Sequence, residues 1–131
     1  MLLALVFVAF GSAYGATKGH RQKGHVVTIT MERDSTRAYF RPASVDVSVG
    51  DTLRFVDDAG RHNIDFLPDS NPRNVRLPAA TGYVEHSGET ILIPMTLPPG
   101  NYFFQCDPHA AMGMVGKVTV RSRTHSRKRT K

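Results

Sequence analysis

Cys106-Asp107-Pro108-His109-Ala110-Ala111-Met112-Gly113-Met114 packs a thiol, an imidazole and two thioethers into nine residues. Before it, Tyr102, Phe104 and Cys106 fall on alternate positions after the Pro98-Pro99-Gly100 turn; after it, Val118 and Val120 alternate around Thr119. Period-two alternation marks half-buried strands. The segment therefore reads as a turn between two strands, with its donors gathered at one end of a sheet.

Working outward, the same pattern recurs. Val27, Ile29 and Met31 alternate with Thr28 and Thr30, Val45, Val47 and Val49 with Asp46 and Ser48, and Leu53 and Phe55 flank Arg54 after Gly50-Asp51. Ile64 and Phe66 flank Asp65, and Ile91, Ile93 and Met95 form a further set interrupted by Pro94, which marks an edge strand or a bulge. Short alternating runs between turn residues, with no convincing helical stretch, predict an all-β antiparallel sandwich or barrel. Leu67 to Gly88 is rich in Pro, Asn and Gly and poorly periodic, with room for a short helix.

A second imidazole lies at another strand end, in Gly60-Arg61-His62-Asn63-Ile64. Cys106, His62 and His109 with a thioether make the two-imidazole, one-thiolate, weak-axial-sulfur set that holds blue copper. Thiolate and thioether suit Cu(I), and imidazole suits both oxidation states. Each residue alone has a plainer explanation: a buried cysteine, a hydrogen-bonded histidine, core methionines. Cys-x2-His could also begin a zinc site, but structural zinc wants four Cys or His ligands. The chain has one cysteine, and its four other histidines are scattered.

Phe104-Gln105-Cys106-Asp107-Pro108-His109, followed by Gly113-Met114-Val115-Gly116-Lys117-Val118-Thr119-Val120, resembles the copper loop of plastocyanins and pseudoazurins. Gly50-Asp51-Thr52-Leu53-Arg54-Phe55 and His62-Asn63 resemble the first-ligand region of the same family. The likeness covers about His25 to Arg121. It implies a cupredoxin: an eight-stranded Greek-key β-sandwich with one type 1 copper, serving as a one-electron carrier and not as an enzyme. It implies His62, Cys106, His109 and Met114 as ligands. Met112 has the shorter amicyanin-like spacing from His109, but Val115-Gly116-Lys117-Val118 aligns Met114 with the axial position. Asn63 resembles the residue that ties the two ligand loops together, with Asp107 as its partner. Pro108 lacks an N–H and so gives the Cys106 sulfur no hydrogen bond.

On this reading His109 presents its imidazole edge to solvent among Ala110, Ala111, Met112 and Gly113, a patch suited to brief docking with a redox protein such as a cytochrome or a copper oxidoreductase. Gln105 stands where plant plastocyanins have tyrosine, and no acidic cluster forms a second docking site, so photosynthesis is not implied. The competing readings are a copper chaperone or storage protein and a dedicated subunit of a larger oxidoreductase.

The termini bound the remaining possibilities. Residues 1–15, from the apolar run Met1 to Phe10 to the small-residue site Ala13-Tyr14-Gly15, read as a signal peptide cleaved after Gly15. The run is well short of the roughly 20 residues that span a bilayer. The protein is thus expected to be exported, to a periplasmic or similar compartment, where a lone thiol is a liability unless something occupies it. Residues 16–24 read as a flexible basic lead-in, 25–121 as the folded domain and 122–131 as a disordered basic tail. Of 131 residues, enough for one domain, 17 are Lys or Arg and 11 Asp or Glu. Six of the basic residues fall in Arg121 to Lys131, so the rest of the chain is balanced, which argues against a nucleic-acid-binding face. The protein is expected to be a monomer. His20 and His25 could offer a weak second copper site; His86 and His125 have no assigned role.

Overall fold

The computed structural model describes residues 23–124. The expected signal peptide, residues 16–22 of the lead-in with His20, and residues 125–131 with His125 lie outside them. The described chain forms seven strands: β1 (Val26–Arg33), β2 (Ala38–Arg41), β3 (Ser44–Ser48), β4 (Thr52–Asp57), β5 (Thr90–Pro94), β6 (Gly100–Gln105) and β7 (Val115–Arg121). They build a sandwich of two sheets, ordered β2-β1-β4-β5 and β3-β7-β6.

The alternation read from the sequence is the burial pattern observed. Ile29, Met31, Val45, Val47, Leu53, Phe55, Ile93, Tyr102, Phe104, Val118 and Val120 all face the core between the sheets. Pro94 closes β5, an edge strand, where its missing N–H breaks no ladder. Phe104 is the hub of the packing: its ring lies 5.0 Å from Phe40, 5.3 Å from Phe55 and 5.5 Å from Phe66, centre to centre. Gly116 pairs with Phe104 across the β6–β7 ladder, and a Cβ there would sit 2.3 Å from the ring. Only glycine leaves room for the aromatic that carries Cys106 two residues on.

Two expectations are corrected. The sandwich is mixed: β1 pairs with β4 and β3 with β7 in parallel, because β3 crosses to the other sheet before β4 returns beside β1. Seven strands, not eight, are continuous among the described residues; the Ile64-Asp65-Phe66 run makes only an isolated bridge, Asp65 to Gln105. The long 67–88 segment does carry a short helix, the 3-10 turn Pro68–Ser70. It is anchored by buried Asn71, which donates to the carbonyls of Leu67 and Phe103 and accepts from the Phe103 amide. Among the described residues no helix is long and apolar enough to cross a membrane.

Arg123, read as part of the tail, is held at the end of the sandwich away from the Cys106 turn. It donates to the Val49 carbonyl at 2.9 Å and pairs with Asp51, which is 5% exposed. Asp51 also accepts from the His25 amide at 2.9 Å and the Ser48 amide at 2.7 Å, so one carboxylate ties both ends of the domain to the β3–β4 turn. Burial opposes its charge, but these amides and Arg123 together hold the carboxyl below its ordinary range. Asp51→Ala is expected to lower stability by about 3 kcal/mol, read from urea unfolding. Because the folded carboxyl is the stronger acid, its contribution is complete above the unfolded value near 4 and is lost as pH falls below it. The wild type and the variant should therefore converge in acid.

Candidate metal centre

The turn after β6 is built by backbone hydrogen bonds among the donor-bearing residues. The His109 amide donates to the Cys106 carbonyl at 3.1 Å, the Met114 amide to the His109 carbonyl at 3.2 Å, and the Cys106 amide to the Met114 carbonyl at 3.1 Å. Asp107–Met112 forms a 3-10 helix that Pro108 starts, its ring fixing φ where no N–H is needed. Gly113 ends it at φ +86°, the left-handed conformation that glycine adopts freely.

This turn brings Cys106 and His109 against His62, which reaches in from the loop after β4. The Cys106 Sγ lies 3.5 Å from Nδ1 of His62 and 3.5 Å from Nδ1 of His109. The two rings are 4.9 Å apart, and the three donor atoms all lie within 4.8 Å of one another. Cys106 and His62 are fully buried, and Met114, whose backbone closes the same turn, is buried beside them. Met112 is 38% exposed. The His62 ring is oriented by a 2.8 Å hydrogen bond from Nε2 to the Ala59 carbonyl, which leaves Nδ1 facing the thiol. Its backbone pairs with Val84 in a two-way bridge, and Arg61 beside it stacks 3.8 Å over the Tyr83 ring and pairs with Glu85. The neighbouring loop is thereby pinned to the ligand.

Asn63 and Asp107, matched on the sequence, are bonded in both directions. The Asn63 amide group donates to Asp107 Oδ2 at 2.7 Å, and the Asp107 backbone N–H donates to Asn63 Oδ1 at 2.8 Å. Gln105 donates to the other carboxylate oxygen at 3.0 Å. Burial pushes the Cys106 thiol up, while the backbone amides of Asn63 and His109 pull it down; Pro108 contributes none. Burial, with His62 and Arg33 nearby, keeps His109 below the usual imidazole range, so it favours the neutral form that binds metal. One thiol and two inward-turned imidazole Nδ1 atoms in a closed pocket fit a thiophilic transition ion.

Two findings depart from expectation. His109 is only 6% exposed, so it offers a rim instead of the open edge expected. Asp57 was not singled out, yet its buried carboxyl lies 3.8 Å from His62 Nε2. The signal was present in β4, where Leu53, Phe55 and Asp57 share the inward parity and the third is an acid.

Residues 27–121 match the model of the copper-binding proteins of the plastocyanin/azurin family. The chain belongs to that family. Chloroplastic plastocyanin of Hordeum vulgare is 42% identical over 84 residues, 62% of this chain and 54% of that protein; the chain thus spans about half the length of this relative. Plastocyanin of Daucus carota is 35% identical over 95 residues, 70% of this chain and 97% of its own. The solved pseudoazurin of Methylobacterium extorquens AM1 superposes with a TM-score of 0.56 at 26% identity, covering 77% of this chain and 78% of that one. The cofactor is copper, and His62, Cys106 and His109 are arranged to hold it.

The cupredoxin geometry depends on the two ligand loops staying in register. Asn63→Ala is expected to lower copper affinity 10- to 100-fold, measured by competition with a chelator. Asp46→Ala, which removes only the exposed pair with Arg121, should leave affinity unchanged.

Proposed function

We propose that this cupredoxin is an exported one-electron carrier that shuttles electrons between larger redox proteins outside the cytoplasm. A single observation carries the reading: a thiol and two imidazoles converge in a buried pocket that the backbone already holds in place. Copper, when bound, supplies a one-electron couple. The residues supply the rest. Cys106, His62 and His109 would hold the ion through thiolate and imidazole donors, and the Met114 thioether would add a weak fourth donor, supported by its burial and by its place at the closing hydrogen bond of the turn. The Ala59 and Val84 contacts and the Asn63–Asp107 pair limit how far the imidazoles and thiolate can move, so a change of charge costs little rearrangement.

The way out for the electron is the His109 rim. Around it Ala111, Met112 and Gly113 are exposed and Ala110 is half-buried, a small apolar surface suited to short encounters. A cytochrome or a copper oxidoreductase is the kind of partner that such a surface serves. The signal-like residues 1–15 support a periplasmic or other extracytoplasmic setting. Copper delivery is the weaker reading, because exchange favours exposed donors and all three here are enclosed.

Loaded with Cu(II), the protein is expected to show an intense thiolate-to-copper absorption band in the visible. The band should vanish in Cys106→Ser and shift in Met114→Ala. A colourless protein, or a copper signal indifferent to Cys106, would contradict the proposal.

A further inference from the structure

Asp57 ends β4 with its backbone fixed on both sides: its amide donates to the Glu89 carbonyl at 2.9 Å, and its carbonyl accepts from the Gly88 amide at 2.8 Å. The residue is 1% exposed. Among the described residues, its two carboxylate oxygens are the buried side-chain atoms without a hydrogen-bond partner. Oδ1 lies 3.8 Å from His62 Nε2, too far for a hydrogen bond, and that N–H already serves Ala59. The neighbouring Glu89 and Asp58 only add like charge.

An unpartnered buried carboxyl destabilises a fold, and breaches of this kind in natural proteins gather at functional sites. Nothing in the core needs an acid here: the position continues the inward parity of Leu53 and Phe55, which an amide or an apolar group would satisfy as well. What the slot does face is the back of a metal-ligating imidazole. His62 turns Nδ1 toward the thiol, so the Asp57 carboxyl stands on the opposite side of the ring from the metal position. A carboxylate held behind a ligating histidine balances the charge of the ion through space. In a water-excluded pocket that interaction is little screened.

We propose that Asp57 is a positioning residue that acts on the metal through His62, favouring the more highly charged oxidised copper over the reduced and so lowering the reduction potential. The inference rests on the blue-copper reading above. The metal-free protein bears the cost of the unpartnered group, and the oxidised holoprotein recovers it.

The test compares wild type with Asp57→Asn, loaded with copper and metal-free. In spectroelectrochemical titration at one pH, the variant is expected to keep the visible thiolate band and to shift to higher potential. A tenfold loss of preference for Cu(II) over Cu(I) corresponds to about 59 mV for one electron. Metal-free Asp57→Asn should unfold at a temperature no lower than the wild type, and Cu(II) should raise its unfolding temperature by less. An unchanged or lower potential with the band intact overturns the inference and leaves the blue-copper reading standing. A wild type without the band overturns both. Asp57→Ser provides a second variant read in the same way; if neither variant folds without metal, Asp57 is a structural residue and the inference fails.

Discussion

Two segments 44 residues apart must meet within hydrogen-bonding distance before this protein can bind anything, and the Asn63–Asp107 pair makes them meet. The pair is reciprocal: each residue donates once and accepts once, so neither loop can slide without losing both bonds. His62 lies one residue before Asn63, and Cys106 one residue before Asp107. The lock therefore sits directly behind two of the three donors. The third, His109, follows through the 3-10 turn, whose own backbone bonds fix the ring relative to Cys106. Ligand geometry is a property of the chain rather than something the ion has to impose.

That arrangement concentrates difficult chemistry at one end of the sandwich. A thiol, two imidazoles and an unpartnered carboxyl are all withdrawn from water there. The opposite end is built differently: every oxygen of the buried Asp51 carboxylate is satisfied, and the group joins β3, β4, the chain before β1 and the chain after β7. Between the two ends the Phe40–Phe55–Phe66–Phe104 cluster supplies the apolar mass, packed so closely that Gly116 has no room for a side chain. The division is physically sensible. Burial and fully paired charge stabilise the scaffold, and the site spends some of that stability on holding donors apart from water.

Much of this was legible in the sequence because two signals agreed. Alternation gave the strands and their inward faces, and the Cys106–Met114 turn placed soft donors between two of them. The two methionines also differ in the way the alignment expects: Met114, next to the returning strand, is buried, and Met112 is exposed. What escaped has local causes. β2 is only four residues, Ala38-Tyr39-Phe40-Arg41, between the Asp34–Arg37 turn and Pro42, too short for periodicity to register. Ile64 and Phe66 alternate and are buried, but the pattern cannot tell a strand from an extended loop held by one bridge. Parallel pairing depends on which sheet a strand joins, which period two does not encode. Arg123 looked like tail because its partner, Asp51, is 72 residues away. Asp57 was hidden for the opposite reason: it has no partner, and its significance lies in what it stands behind.

The central claim is that the chain holds the donors in place through a change of metal charge. Crystal structures of the metal-free, Cu(I) and Cu(II) forms test it most directly. The account predicts that Cys106 Sγ, His62 Nδ1 and His109 Nδ1 keep their positions to within about 0.5 Å across all three. A flipped imidazole, or a donor displaced by more than about 1 Å between forms, would contradict it.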